Sequence, residues 1–583
     1  MARSFVAIVT RSDAARQDFR LQLRAAGKDG ADGFAIDEIG TLLVASRGLE
    51  RMHFGTDRGL VLGRVAAAGG SPVQALGGVE GDEPAKIAQH FVRNFWGSYV
   101  SAYFSPPGGL AIWRAPLGDL PCYVMRRGSD LLLASSPRLL APHAARPLRI
   151  CSDALARHLA FTHLRPQETC LDGIEELAGG QCLTWSTEGI RRSRLWSPWT
   201  SAARKAAITD PGDASSRLRA VARQCVAAGA GSDGGVLLKL SGGLDSSIVA
   251  ACLAHAGIHF RALTLVTDDA AGDERPYARM VARHLGVELI EARRDPARID
   301  PSMSPARDLP RPSIPLFRQE SERISAEAAA KSGLTGVMDG GGGDNVFCSL
   351  QSASPVADCL LSRAGWGRAA STAASLAEIA QVSLPRVLRA AISRALRPSR
   401  SFRWPVEPEF LSQEAVADLP ARPAHPWLNA PRGSLPGRAA HVALIAAGQS
   451  YVEGLDPEDD PPLAVPLLAQ PLVELCLRIP SWLWFERGLN RAVARRAFSG
   501  ELPGAILHRR SKGTPDSFLA QIFELHRRRI RDELLGGELA SLGLLDRHAL
   551  VAFFDSGRPL PDGRLQRIMA LYDAEIWCRS WPG

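Results

Sequence analysis

A segment of seven residues, Ser-Gly-Gly-Leu-Asp-Ser-Ser at 241–247, combines residue types that can bind a polyphosphate. It follows an apolar run and precedes a segment of helical character, so we expect a strand, a loop and a helix in that order. Glycines let the loop turn its backbone N–H groups towards an anion, and the start of a helix adds partial positive charge. Asp245 would repel phosphate unless a cation lies between them, which suits a Mg²⁺ ligand. Phosphate can accept further hydrogen bonds from the hydroxyls of Ser241, Ser246 and Ser247.

The segments around this loop predict a parallel sheet. Apolar runs at 235–240, 260–267 and 334–338 alternate with segments of helical character at 248–256 and 277–285. Strands that alternate with helices in this way are typical of α/β domains, in which helices cover both faces of a parallel sheet.

The rest of the chain predicts a second domain and a long helical part. Residues 1–205 contain short apolar runs separated by Gly, Pro and Asp, which indicates a largely β or α+β domain. A polar stretch at 201–215 suits a linker, so we expect domains at 1–205 and 213–583. Residues 351–440 show helical periodicity that Pro385 interrupts. We interpret 351–440 as an amphipathic helical insertion, with a partner surface as the alternative.

Composition limits the classes of function. The 583 residues are 46% apolar and carry a net charge of +8, with only six Lys among the 69 basic residues. That mild charge permits a nucleic-acid partner, but no RNA-binding module is visible, so we expect none. The ten Cys form no C-x-x-C pair, which argues against a metal or disulfide framework and fits a reducing cytoplasm. No stretch approaches the roughly twenty apolar residues of a membrane span.

The loop at 241–247 resembles the signature of the N-type ATP pyrophosphatases, and within that class the chain resembles the asparagine synthetase family over nearly its whole length. Residues 337–345 resemble the family's Ser-Gly-Glu-Gly-Ser-Asp-Glu segment, so Asp344 matches its second Mg²⁺ carboxylate. The resemblance implies ATP and Mg²⁺ as cofactors, with Asp245 and Asp344 as catalytic metal ligands. It implies a nucleotide site made of Leu240, Ser241, Gly242, Gly243, Asp245, Ser246, Ser247, Leu265, Gly340 and Arg491.

Two later segments extend the resemblance. Residues 466–498 are similar to the family's helical stretch, and Arg491 stands where the family often has a Lys that faces pyrophosphate. The Arg-Arg-Ser-Lys-Gly segment at 509–513 resembles the loop that carries the catalytic Lys, which makes Lys512 the predicted counterpart. Its compact charge suits an α-phosphate and a developing oxyanion. Asp273 and Glu274 are interpreted as caps of the helix that follows them, with support of the site as the alternative.

The N-terminal part resembles the family's glutaminase domain, which has the N-terminal-nucleophile fold. The segments that carry this resemblance are 96–99, 114–123, 134–136 and 173–180. Such glutaminases need Cys as their first mature residue. The chain begins Met1-Ala2-Arg3, so we expect no glutamine hydrolysis and interpret the domain as a structural relic.

A synthetase without a glutaminase takes its amine from elsewhere, and relatives that close a ring within one molecule do so. The β-lactam synthetases carry a Tyr of a base dyad in place of the family's Glu, where this chain has Gly341. Residues 466–488 and 509–513 look most like the lasso-peptide macrolactam synthetases. That resemblance implies adenylation of an Asp or Glu side chain of a precursor peptide and attack by the peptide's N-terminal amine. It implies a leader-peptide-binding protein and a protease as partners in the cytoplasm.

The alternatives are a β-lactam synthetase-like cyclase of a small amino acid derivative, an ATP-dependent amidotransferase, an enzyme that modifies nucleic acid, and an inactive scaffold. The general base and the peptide are not given by the sequence.

Overall fold

The structure is a computed structural model. It describes residues 3–26, 33–106, 109–231, 234–267, 272–362, 364–397, 401–456, 458, 461–510, 513, 516–556 and 563–581. Within these ranges no helix has the length and apolarity to cross a bilayer.

Two antiparallel sheets of six strands each form the N-terminal part. The first has the order β10-β8-β9-β1-β3-β2, with β1 Ser4–Val9, β2 Ala35–Ile39, β3 Leu42–Arg47, β8 Tyr123–Arg127, β9 Asp130–Ala134 and β10 Ile174–Glu176. The second has the order β12-β11-β7-β6-β5-β4, with β4 Arg51–Phe54, β5 Gly59–Ala67, β6 Phe95–Ser105, β7 Gly109–Arg114, β11 Gln181–Ser186 and β12 Gly189–Arg194.

Alternation along the strands produces the layers. In β1, Phe5, Ala7 and Val9 pack into the core between the sheets, whereas Val6 and Ile8 face a helical layer outside. This period of two places both faces of the sheet in apolar surroundings. The helices of this part are α1 Asp13–Ala26, α2 Pro84–Asn94, α3 Pro137–Leu140, α4 Ser152–Ala160 and α5 Pro198–Ser201.

A parallel sheet of five strands follows, in the order β15-β14-β13-β16-β17. Its strands are β13 Val236–Lys239, β14 Phe260–Val266, β15 Leu289–Arg293, β16 Gly336–Met338 and β17 Leu463–Ala464. The flanking helices are α6 Pro211–Ala230, α7 Leu244–His255, α8 Arg275–Leu285 and α9 Arg318–Ser332. Leu238 packs with α6 and α7, whereas Leu237 packs with α9 on the opposite face. This arrangement fits the predicted α/β synthetase domain.

Helices make up most of the remaining chain. They are α10 Gly343–Val346, α11 Ser354–Ser362, α12 Trp366–Ala380, α13 Leu384–Leu396, α14 Gln413–Ala417, α15 Pro436–Glu453, α16 Gln470–Arg478, α17 Ala492–Ala497, α18 Gly504–Leu507, α19 Asp516–Gly536, α20 Glu538–Ser541, α21 Arg547–Asp555 and α22 Arg564–Cys578. Pro385 lies in the first turn of α13, where its missing N–H has no helical partner to lose. The periodic stretch is therefore two helices.

A buried ion cluster connects the N-terminal sheets to the rest of the chain. Glu176, at the end of β10, accepts from Arg114 at 2.9 Å, from Arg165 at 2.8 Å and from Arg311 at 2.8 Å. Arg114 also contacts Glu453 of α15 at 3.0 Å. Burial opposes the charge of Glu176, but the surrounding arginines prevail and lower its pKa to about 2. Glu176 of the N-terminal part thus neutralises Arg311, and Glu453 of the later part neutralises Arg114.

Replacing Glu176 by Gln is expected to lower the free energy of unfolding by about 3–5 kcal/mol, because it leaves buried arginines without their anion. The measurement is urea unfolding at neutral pH. Glu175→Gln is the matched control: its side chain is 54% exposed, and we expect a loss of at most about 1 kcal/mol there. Equal stability of the two variants would contradict the prediction.

Candidate active site

The candidate site lies where β13 and β16 end. The loops that follow these neighbouring parallel strands emerge at the same edge of the sheet. The chain leaves β13 towards β14 on one side, whereas β16 lies on the other side, and α/β proteins bind ligands in the crevice at such a point. They enclose a cavity of about 330 Å³. Its wall consists of Lys239, Ser241, Gly243, Leu244, Asp245, Ser246, residues 339–345, Asn490, Arg491, Arg495, Ile506, Arg509 and Arg510.

Glycine is required where the two loops touch. A Cβ at Gly340 would lie 2.5 Å from the Ser246 nitrogen, and one at Gly343 would collide with the Asp245 carboxylate. Real Cβ atoms do not approach other atoms so closely. The glycines of 340–343 therefore let the second loop lie directly on the first.

The three charged residues predicted for pyrophosphate and metal meet in this cavity. Arg491 contacts Asp245 at 3.0 Å and Asp344 at 2.7 Å. The Asp245 side chain is 8% exposed and that of Asp344 48% exposed. Arg491 has a left-handed backbone (φ 55°) at the residue before α17, which aims its side chain back to the loops. Two carboxylates thus share one cation.

This donor set fits Mg²⁺. Carboxylate oxygens are hard ligands, and Mg²⁺ usually takes one or two of them and completes its shell with water and phosphate oxygens. Among the described residues no cluster of three or more His, Cys, Asp or Glu forms a closed metal cage. Asp245 and Asp344 are therefore the residues that would hold Mg²⁺ beside a nucleotide.

Some of the predicted nucleotide-binding residues face the cavity and others point away from it. Ser241 and Ser246 line the cavity, and the Ser241 N–H donates to the Ser246 hydroxyl at 3.3 Å. Ser247 instead donates its hydroxyl to the Gly243 carbonyl at 2.7 Å, within the first turn of α7. The Leu240 side chain is buried, and its N–H donates to the Leu263 carbonyl. Leu240 and Ser247 thus support the loop from outside the cavity.

A larger cavity of about 560 Å³ adjoins the first and shares Lys239 and Asp339 with it. Leu265, predicted for ATP, lies in this second cavity. Its walls include residues 158–165 of the N-terminal part, the segment 311–318, residues 450–455 and α22. A cavity of this volume, lined by apolar side chains and a few polar groups, is typical of a substrate pocket.

Tyr451 and Asp339 form a pair that sequence reasoning missed. The Tyr451 hydroxyl donates to Asp339 Oδ2 at 2.9 Å and accepts from Arg318 at 3.3 Å. Burial and the Asp339 carboxylate raise the pKa of Tyr451, so its phenol stays protonated. A Cβ at Gly341 would lie 2.7 Å from the Asp339 carboxylate and 2.8 Å from the Tyr451 ring. The pair occupies the space that a side chain at 341 would need.

Lys512, the predicted catalytic residue, lies outside the described residues. Both sides of its loop are held by Glu274, which accepts from the Arg509 guanidinium and from the Gly513 N–H. Arg495 of α17 donates hydrogen bonds to the Leu507 and Arg509 carbonyls and so holds the start of the loop. The prediction that Glu274 caps α8 is wrong: its side chain makes no cap hydrogen bond. The position of Glu274 after β14 was the available signal for a role at the site. Its partner Arg509 lies far away in the sequence, so the contact could not be predicted.

Replacing Glu274 by Gln is expected to slow ATP–pyrophosphate exchange about a hundredfold, because a small displacement of the loop misplaces the groups it carries. The control is Asp273→Asn, whose carboxylate pairs with Arg275 instead of the loop. Equal exchange rates in the two variants would refute the positioning role.

A third cavity, of about 320 Å³, lies between the N-terminal sheets and the synthetase part. Asp119 in its wall is paired with Arg3 at 2.8 Å and also accepts from the Ser98 hydroxyl. Arg3 and Arg64 overcome burial and lower the pKa of Asp119. Cys225 contributes the thiol of this wall, and burial raises its pKa to about 12. That thiol stays protonated, which is the inactive form.

Comparison with solved structures finds a number of remote likenesses, which include the following two. One is glutamine phosphoribosylpyrophosphate (PRPP) amidotransferase from B. subtilis complexed with ADP and GMP, at 12% identity over 58% of this chain and 81% of that chain, with a TM-score of 0.19. The other is the allosteric regulatory enzyme of purine biosynthesis, at 10% identity over 58% and 83%, with a TM-score of 0.18. Such low scores carry no argument. No curated protein matches the chain.

The family comparison is decisive. The model of the asparagine synthase family matches residues 217–455 and 458–579. These ranges include both glycine-rich loops, Arg491 and the 509–513 segment, and they span more than half of the 583 residues. The chain therefore belongs to the asparagine synthase family, which implies ATP-dependent formation of an amide bond.

Proposed function

We propose that this protein closes a macrolactam ring in a ribosomally made, lasso-type precursor peptide. It would activate an Asp or Glu side chain of the peptide with ATP and join it to the peptide's N-terminal amine, with release of AMP and pyrophosphate. The observation that carries the proposal is the meeting of Asp245, Asp344 and Arg491 beside a cavity of about 560 Å³. A second cavity of this size beside the predicted metal site provides room for a substrate next to the nucleotide. A leader-peptide-binding protein and a protease are the proposed partners.

The first step forms the mixed anhydride. The peptide carboxylate attacks the α-phosphorus of ATP, and the bond to the β-phosphate oxygen breaks. Mg²⁺ held by Asp245 and Asp344 would supply charge neutralisation for the departing pyrophosphate. Ser241 and Ser246 donate hydroxyl hydrogen bonds to phosphate oxygens, and Arg491 adds a planar pair of donors. Lys512 is the proposed donor to the α-phosphate.

The second step forms the amide. The N-terminal amine attacks the activated carbonyl carbon, a C–N bond forms, and the C–O bond to AMP breaks. As the nitrogen loses its proton, the Tyr451 oxygen accepts it and the phenolic proton passes to Asp339, 2.9 Å away. Because both reacting groups belong to one peptide, binding in one cavity replaces a bimolecular encounter by a high effective concentration.

The test is mass spectrometry of candidate precursor peptides incubated with the protein, its proposed partners, ATP and Mg²⁺. Loss of one water from the core peptide, dependent on ATP and absent with Asp245→Ala, supports the macrolactam synthetase. AMP release without a dehydrated peptide refutes the peptide substrate and favours a small-molecule cyclase. Absence of AMP with every acid and amine refutes the activation step itself.

A further inference from the structure

The larger cavity is lined by a guanidinium that has no counter-ion among the residues the structure describes. Arg294 lines this cavity directly after β15 and is half-buried. It lies over the Phe518 ring, 4.5 Å from its centroid. Among the described residues its side chain has no acid or carbonyl as partner, and its Nε is a buried donor without an acceptor.

The other arginines of this wall are satisfied. Arg318 pairs with Glu322, and Arg567 donates to three backbone carbonyls. Arg165 and Arg311 share Glu176. Arg294 is half-buried and has no such partner among the described residues, so its guanidinium is available to an anionic group of a ligand in the cavity.

Two further polar atoms of the same cavity wall lack partners within the described structure. They are His158 Nδ1 and Ser450 Oγ. Apolar walls lie between them and Arg294, including Ile314 and Phe317. The cavity thus combines an apolar lining with the Arg294 guanidinium, which matches the chemistry of a peptide segment with one carboxylate.

The position of Arg294 separates this carboxylate from the one that is activated. Arg294 follows β15, the outer strand, whereas the pyrophosphate loop follows β13, with β14 between them. Two strand spacings correspond to about 10 Å. The activated carboxylate must reach the α-phosphate beside the loop, so a carboxylate held at Arg294, two strands away, is a second one.

We infer that the larger cavity is a peptide-binding site in which Arg294 holds a second carboxylate of the substrate, one that does not react. This inference rests on the proposed function and deepens it by naming what the substrate carries. The carboxylate comes from the C-terminus of the peptide or from an acidic side chain outside the ring.

The first test uses a precursor that the wild-type chain dehydrates. Arg294→Met keeps the apolar stem against Phe518 and removes the charge. We expect its KM for the peptide to rise about ten- to a hundredfold, since a hydrogen bond to a charged group is lost. We expect kcat and the KM for ATP to change by less than about twofold. Arg293→Ala is the matched control, an exposed arginine on the adjacent position.

The peptide arms identify the carboxylate. A C-terminal amide, or Asn and Gln in place of acids outside the ring, should raise the wild-type KM for whichever group Arg294 holds and add nothing in Arg294→Met. A variant with a wild-type peptide KM, or with a raised KM for ATP instead, overturns the inference while ring closure by the wild type leaves the proposed function intact.

A binding measurement needs no turnover. Calorimetry with acetyl-Leu-Ala-Leu-Asp-amide and its Asn counterpart compares one carboxylate with its neutral isostere. The wild type should bind the Asp peptide about ten times more tightly, and Arg294→Met should bind both equally. Equal binding of both peptides by the wild type overturns the inference even if the protein proves to act on another substrate.

Discussion

Asp245→Ala is expected to abolish pyrophosphate release, with a loss of at least about a thousandfold, because removal of a carboxylate that organises phosphate charge removes electrostatic stabilisation of the transition state. Asp245 is almost fully buried at the start of α7 and contacts Arg491. Asp344 contacts the same Arg491, but its side chain is 48% exposed, so it does not replace the buried Asp245 carboxylate. The measurement is ATP–pyrophosphate exchange at saturating Mg²⁺.

Asp344→Asn is the informative comparison. The Asp344 side chain is half exposed. We therefore expect Asp344→Asn to raise the Mg²⁺ concentration needed for exchange, and to retain more of the maximal rate than Asp245→Ala does. Asp213→Ala, on the exposed first turn of α6, is the folding and handling control. Exchange at the wild-type rate in Asp245→Ala would rule out the site as described.

Tyr451→Phe is expected to slow ring closure by about a hundredfold to ten-thousandfold, the usual contribution of a positioned proton acceptor. The substitution keeps the ring against Gly341 and removes only the hydroxyl that joins Asp339 and Arg318. ATP–pyrophosphate exchange should persist, because activation of the carboxylate moves no proton from an amine. The two assays together separate the second step from the first.

Tyr277→Phe is the matched control for Tyr451→Phe, because its ring stacks on Arg509 and the substitution leaves that contact in place. Gly341→Ala should reproduce the Tyr451→Phe defect, since a Cβ there displaces Tyr451 and Asp339. Full ring closure by Tyr451→Phe would exclude the pair as the route of the proton.

The sequence was informative where chemistry is local. The loop at 241–247 carries its own strand and helix signals, and alternating strands and helices were enough to predict the parallel sheet around it. Tyr451 and Asp339 lie 112 residues apart, so no local pattern predicts that they meet. Glu274 is equally suited to cap α8 or to bind a loop, and only the tertiary contact with Arg509 decides between them. The domain boundaries and the partner proteins stay predictions.

The buried cluster around Glu176 makes the two parts of the chain depend on each other. The N-terminal sheets provide Glu176, which is the counter-ion of Arg311 among the described residues, and residues 158–165 form one wall of the larger cavity. Excising the N-terminal part would strand charges in the interior and open the cavity to water. The N-terminal part is thereby required for the stability of the rest of the chain and for the shape of the larger cavity, whatever chemistry it performs.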